Sequence, residues 1–77
     1  MNDMHNPHQS TITIIANGQP RSVKDGSSIA DLLHTLEISP TRVVAQMNGE
    51  IVPREAFAQT RLHEGDRLEL VTLVGGG

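Results

Sequence analysis

The chain has no cysteine, tryptophan or tyrosine, and Phe57 is the sole aromatic among 77 residues. Without cysteine, neither a disulfide nor a thiolate metal site can hold the fold together, and a reducing cytoplasm suits such a chain. One aromatic is too few for a platform on which single-stranded nucleic acid could stack. Positive charge is scarce as well. Six Lys and Arg against nine Asp and Glu leave a net charge of -3, the opposite of the basic footprint that phosphate backbones select. No stretch approaches the ~18 consecutive apolar residues of a membrane span. Met1 to Ser10 has neither the basic start nor the apolar run of a signal peptide. These absences leave a small, mildly acidic cytoplasmic domain that binds neither nucleic acid nor membrane.

A chain of this length supports one core. With 36% hydrophobic residues, that core is built from aliphatic side chains, and it supplies at most ~3–5 kcal/mol of net stability. Residues 1–10 (MNDMHNPHQS) are polar and aperiodic, so a disordered leader is expected there. The domain proper is expected over residues 11–74. Thr11 to Ala16 alternates as a strand, with Ile12, Ile14 and Ala16 on one face, and Asn17-Gly18 after it is a hairpin signal. The return strand, about Gln19 to Val23, carries Pro20 and therefore belongs at a sheet edge.

Ser28 opens a helix. Its hydroxyl can accept from the Asp31 amide, although Asp is short for the reciprocal half of a capping box. Ile29, Leu32, Leu33 and Leu36 then form one apolar stripe, and the helix is expected to stop before Pro40. Val43 to Met47, a second Asn-Gly turn at Asn48-Gly49, and Ile51-Val52 make another strand pair. Arg54 to Thr60 suits a short second helix after Pro53. Arg67 to Val74 reads as the longest strand, with Leu68 and Leu70 inward.

A hairpin, a crossover helix and further strands imply an α+β mixed sheet of four to five strands with the helix packed on one face. The first and last strands would lie parallel at its centre. This is the β-grasp, or ubiquitin-like, roll. Its expected core is Ile12, Ile14, Ile29, Leu32, Leu33, Leu36, Val43, Ala45, Phe57, Leu62, Leu68 and Leu70.

No constellation in the chain suggests catalysis. His5 and His8 sit in the leader, His34 on the polar side of the helix, and His63 in a loop. Glu64 and Asp66 flank Gly65 as a solvated turn. No glycine run separates a strand from a helix as a phosphate loop requires. The terminal Gly75-Gly76-Gly77 is the informative feature. Glycine lets a backbone enter a channel too narrow for side chains. A terminal carboxylate, with a reference pKa of ~3.3–3.7, is ionised at neutral pH, so it can attack the α-phosphate of ATP without a general base. The glycines thus suit a flexible arm that carries a carboxylate into a partner's active site.

The run Asn48-Gly49-Glu50-Ile51-Val52-Pro53-Arg54, followed by Phe57, Leu62, Glu64-Gly65-Asp66 and the glycine terminus, resembles the ThiS family of sulfur carriers in thiamine biosynthesis. The resemblance extends from about Ile12 to Gly77. The leader and a third terminal glycine, Gly75, depart from the family pattern. It implies a carrier cycle. An E1-like adenylyltransferase (ThiF) would activate the Gly77 carboxylate with Mg-ATP, a sulfur-relay protein would convert it to a thiocarboxylate, and thiazole synthase (ThiG) would receive the sulfur. The domain itself would bind no cofactor or metal and would catalyse nothing. Gly77 would be the sulfur-carrying residue, with Gly75 and Gly76 as the thread. The alternation of the first and last strands puts Ile15, Val71 and Leu73 on the outward face, the expected docking patch. Three other readings stay open on the sequence: a molybdopterin synthase small subunit, a ubiquitin-like protein modifier, and a plain interaction module. The molybdopterin family tends to carry prolines where this chain has Leu73-Val74.

Overall fold

The computed structural model describes residues 10–74. Five strands form one sheet: β1 (Thr11–Ala16), β2 (Gln19–Lys24), β3 (Val43–Met47), β4 (Glu50–Val52) and β5 (Arg67–Thr72). Their order is β2-β1-β5-β3-β4. β1 and β5 are parallel and every other pair is antiparallel. One helix, α1 (Ile29–Leu36), connects β2 to β3 and buries Ile29, Leu32 and Leu33. The β-grasp expectation holds, with the last strand in the middle of the sheet.

Both Asn-Gly pairs form the expected two-residue hairpin turns, with positive φ at Asn17, Gly18, Asn48 and Gly49. Pro20 lies on the outer edge strand β2, opposite Ile15. The core consists of Ile14, Ala16, Ile29, Leu32, Leu33, Val43, Ala45, Phe57, Leu62, Leu68 and Leu70. Ile12 and Leu36, expected among the core residues, are only partly buried and pack against it, and Ala16, from the same face as Ile14, joins the core.

Several local expectations need correction. The capping box at Ser28 is complete despite the short Asp. Ser28 Oγ accepts from the Asp31 amide at 3.1 Å, and the Asp31 carboxylate accepts from the Ser28 amide at 2.9 Å. The Ser28 backbone amide foremost, and then the Ser28 hydroxyl, hold the Asp31 carboxyl below its ordinary value of 3.8, with a smaller contribution from His34. The second helix is only a 3₁₀ turn, Arg54–Ala56, and another 3₁₀ turn spans Pro40–Arg42. β5 ends at Thr72 and is no longer than β1 or β2. Ser10, placed in the leader on the sequence, is tied to the chain just after β2, because its carbonyl accepts from the Asp25 amide at 3.0 Å. The rest of that leader, residues 1–9, lies outside the described residues.

The helix stops at Leu36, earlier than Pro40 requires, because Glu37 turns left-handed at φ 60°. The Glu37 amide bonds the His34 carbonyl, and the Ile38 amide bonds the Leu33 carbonyl at 2.9 Å. That pairing is a Schellman motif, whose left-handed position normally holds glycine. A left-handed residue with a Cβ is disfavoured by ~1–2 kcal/mol, partly offset on replacement by the entropy glycine adds to the unfolded chain. Glu37→Gly is therefore expected to stabilise the domain by about 1 kcal/mol, equivalent to about 4–8 °C in Tm for a domain of this size. A thermal melt showing no rise would refute it.

Candidate functional site: the outer sheet face and the end of β5

β5 brings the chain through the centre of the sheet and releases it at one end. Leu68 and Leu70 anchor it in the core, while Arg67, Glu69 and Val71 alternate outward. The outward face is where the register decides what meets what. Val71 lies opposite Val44 on β3, and Ile51 on β4 lies opposite Gln46, one position diagonal to Val44. Beyond the strand, the Leu73 amide donates to the Arg42 carbonyl at 2.7 Å, which keeps Leu73 beside β3. Val71 is 59% exposed, Leu73 51% and Ile51 66%, with Val44 and Val74 also exposed. An apolar patch thus runs across β4, β3 and β5 to the last described residues of the chain.

Two of the three expected patch residues, Val71 and Leu73, belong to it. Ile15 does not. It is half-buried and pairs with Arg67, four positions before Val71, or about 13 Å along the strand. Neighbouring strands do not imply neighbouring side chains; the register does. Conversely, Val44 and Ile51 went unassigned although their sequence carried the signal. Val43 and Val44 are consecutive, so only one can face the core, and the Asn48-Gly49 turn fixes which residue of β4 shares a face with Gln46. The expected reactive residues, Gly75, Gly76 and Gly77, lie outside the described residues.

The polar groups near β5 are structural. Glu64 and Asp66 are not a freely solvated turn: Glu64 Oε1 accepts from the Thr13 amide at 3.0 Å, and Asp66 Oδ2 from the His63 amide at 2.8 Å. His63 is exposed, with its ring 3.8 Å from Asp66. The two turn asparagines have a second role that their turn chemistry did not reveal. Asn17 bonds both the amide and the carbonyl of Leu70. Asn48 Oδ1 accepts from the Arg67 amide at 2.9 Å, and its Nδ2 donates to Asp66 at 3.1 Å. The central strand is therefore clasped by one hairpin on each side.

Among the described residues there is no group of three His, Asp or Glu side chains placed to hold a metal ion, and no helix is long and apolar enough to cross a membrane. A groove of about 540 Å³ lies between β2 and α1, far across the sheet from the patch. Its charges alternate (Arg21, Lys24, Asp25, Asp31), so no single ligand charge is favoured there.

The sequence model of the ThiS family matches residues 14–77. That span runs from the second half of β1 through the helix and the other four strands to the terminal glycines. The chain belongs to the ThiS family. It is 35% identical over 54 residues to the sulfur carrier protein ThiS of Bacillus subtilis, covering 70% of this chain and 82% of that protein. It is 34% identical over 64 residues to a thiazole synthase of Paramagnetospirillum magneticum, covering 83% of this chain but 20% of that protein. The chain thus spans about a fifth of the length of that relative. A crystal structure of the thiamine biosynthesis protein ThiS from Geobacter metallireducens superposes with a TM-score of 0.73 at 32% identity, covering 86% of this chain and all of that one. A ThiS-like fold, an apolar face beside β5 and a glycine terminus make up the candidate site.

Proposed function

We infer that this chain is a sulfur carrier of thiamine biosynthesis, and we propose that the Gly77 carboxylate is the group that carries the sulfur. The ThiS match running from within β1 through the terminal glycines supports this reading, as does β5, a core strand that ends at Thr72, leaving two residues before the glycines in the sequence.

In the proposed cycle, a carboxylate oxygen of Gly77 attacks the α-phosphorus of Mg-ATP held by an E1-like adenylyltransferase. The bond to the leaving phosphate breaks and pyrophosphate departs, giving an acyl-adenylate. The terminal sulfur of a relay-protein persulfide then attacks the carbonyl carbon and AMP leaves, giving an acyl disulfide. A thiol reductant attacks the relay sulfur, the S–S bond breaks, and the thiocarboxylate departs while the relay is left in a disulfide with the reductant. Release of the sulfur as a thiocarboxylate makes Gly77 a donor for thiazole synthase, an assignment supported by the stretch this chain shares with one such synthase. Gly75 and Gly76 serve as the thread through the partner's channel, since they place no Cβ against its walls. The carrier supplies no catalytic group. Its part is to dock through Val44, Ile51, Val71 and Leu73 and to present the carboxylate, acting in the cytoplasm as a substrate of its partners.

The intact mass of the protein purified from its native host tests this assignment. A species heavier by the difference between sulfur and oxygen, with the change located by fragmentation at Gly77, is expected. Only the unmodified mass, in cells actively making thiamine, would overturn it.

A further inference from the structure

The parallel pairing of β1 with β5 is short. It covers Ile15 with Arg67 and Ala16 with Leu68, and the Asn17 amide adds one more bond, to the Leu68 carbonyl at 2.9 Å. At Asn17 the chain turns away into the hairpin, so from Leu70 onward no strand among the described residues pairs with β5 on that side. Leu70 nevertheless keeps both backbone groups paired. Its amide donates to Asn17 Oδ1 at 2.7 Å, and its carbonyl accepts from Asn17 Nδ2 at 3.1 Å. A side-chain carboxamide presents an N–H and a C=O side by side, as paired backbone groups do. Here it stands in for the missing strand for one further rung. On the other side β3 pairs with β5 to Thr72, and the Arg42 carbonyl holds the Leu73 amide.

We propose that Asn17 is a positioning residue for the C-terminal segment: its carboxamide extends the two-sided support of β5, so that the free reach toward Gly77 begins after Leu73. The inference rests on the sulfur-carrier reading for its consequence and on the backbone geometry for its cause. Unsupported beyond Leu68, β5 would be held on one side only, and its end would fray toward the core. The carboxylate would then start from a moving point. An error of ~1 Å in placing a reacting group can cost about 10²-fold in rate.

Asn17→Gly isolates the effect, because glycine keeps the positive φ of the turn and deletes only the carboxamide. Asn48→Gly is the matched control. It removes the clasp at the start of β5, away from the exit. Amide hydrogen exchange in the free full-length protein is the first readout. Exchange at Leu73, which Asn17 does not touch, is expected to quicken about tenfold in Asn17→Gly and to stay near the wild-type rate in Asn48→Gly. The second readout is pyrophosphate release with purified adenylyltransferase. Asn17→Gly is expected to lose about tenfold or more in kcat with KM changed less than about twofold, since Val44, Ile51 and Val71 of the docking patch stay paired within the sheet. Unchanged exchange at Leu73, equal effects in both variants, or a loss confined to KM would each overturn the proposal. Failure of the wild type to release pyrophosphate would instead count against the carrier reading, and the exchange comparison would still decide the role of Asn17.

Discussion

Deleting Gly77 is expected to abolish adenylation while leaving the protein folded and able to bind the adenylyltransferase. The truncated chain still ends in an ionised carboxylate, now on Gly76, so its chemistry is unchanged in kind. Its position is not. The carboxylate is withdrawn by up to ~3.3–3.6 Å, one extended residue, and reacting atoms must come within ~3–3.5 Å of each other. In the proposed complex the body is held by its sheet face, so it cannot advance to compensate. Val71→Glu should act in the complementary way. It places a charge at the centre of the apolar patch, opposite Val44, and so raises KM while a saturating partner restores turnover. Pyrophosphate release at varied carrier concentration separates the two. Full activity in the Gly77 deletion would remove the basis for assigning the sulfur to that residue.

Leu33→Ala is expected to unfold most of the population at physiological temperature. Leu33 is 1% exposed, lies on the buried stripe of α1 and joins the core beneath the sheet. Truncating such a leucine costs ~2–5 kcal/mol, part of it for the cavity left behind. A single core in a domain this size provides only ~3–5 kcal/mol in all, and no disulfide is present to constrain the unfolded chain. Urea titration followed by circular dichroism would read the change. A midpoint close to that of the parent would mean that the helix contributes far less than its burial indicates.

Periodicity made the architecture legible because the elements are short and their signals agree. The stripe Ile29, Leu32, Leu33 and Leu36, the two Asn-Gly turns and Pro20 at the edge each point to one arrangement. Ile15 shows what periodicity leaves undetermined. Its face could be read from alternation, but its neighbours depend on a register set by a parallel pairing between distant segments, to which no turn contributes. Val44 and Ile51 lay on the other side of the same gap, since a hairpin does fix their register. Asn17 was read as a turn residue because turn propensity explains it fully. That its side chain also reaches Leu70 follows only from where the chain's far end comes to lie. The Glu37 cap was invisible because the local preference there is unfavourable and the surrounding packing imposes it.

The side-by-side placement of β1 and β5 also constrains how the molecule comes into being. The middle of the sheet joins Ala16 to Leu68, so it cannot close until Leu68 has been made. Contacts so distant in sequence are formed late and slowly, after the loop between them has lost its freedom. The β1–β2 hairpin and α1 can form early, but until β5 arrives they have no common centre to pack around. A nascent chain cut short before Arg67 therefore lacks both the core strand and the glycines that follow it. On the sulfur-carrier reading, such a fragment offers partner enzymes neither a finished sheet face nor a terminal carboxylate.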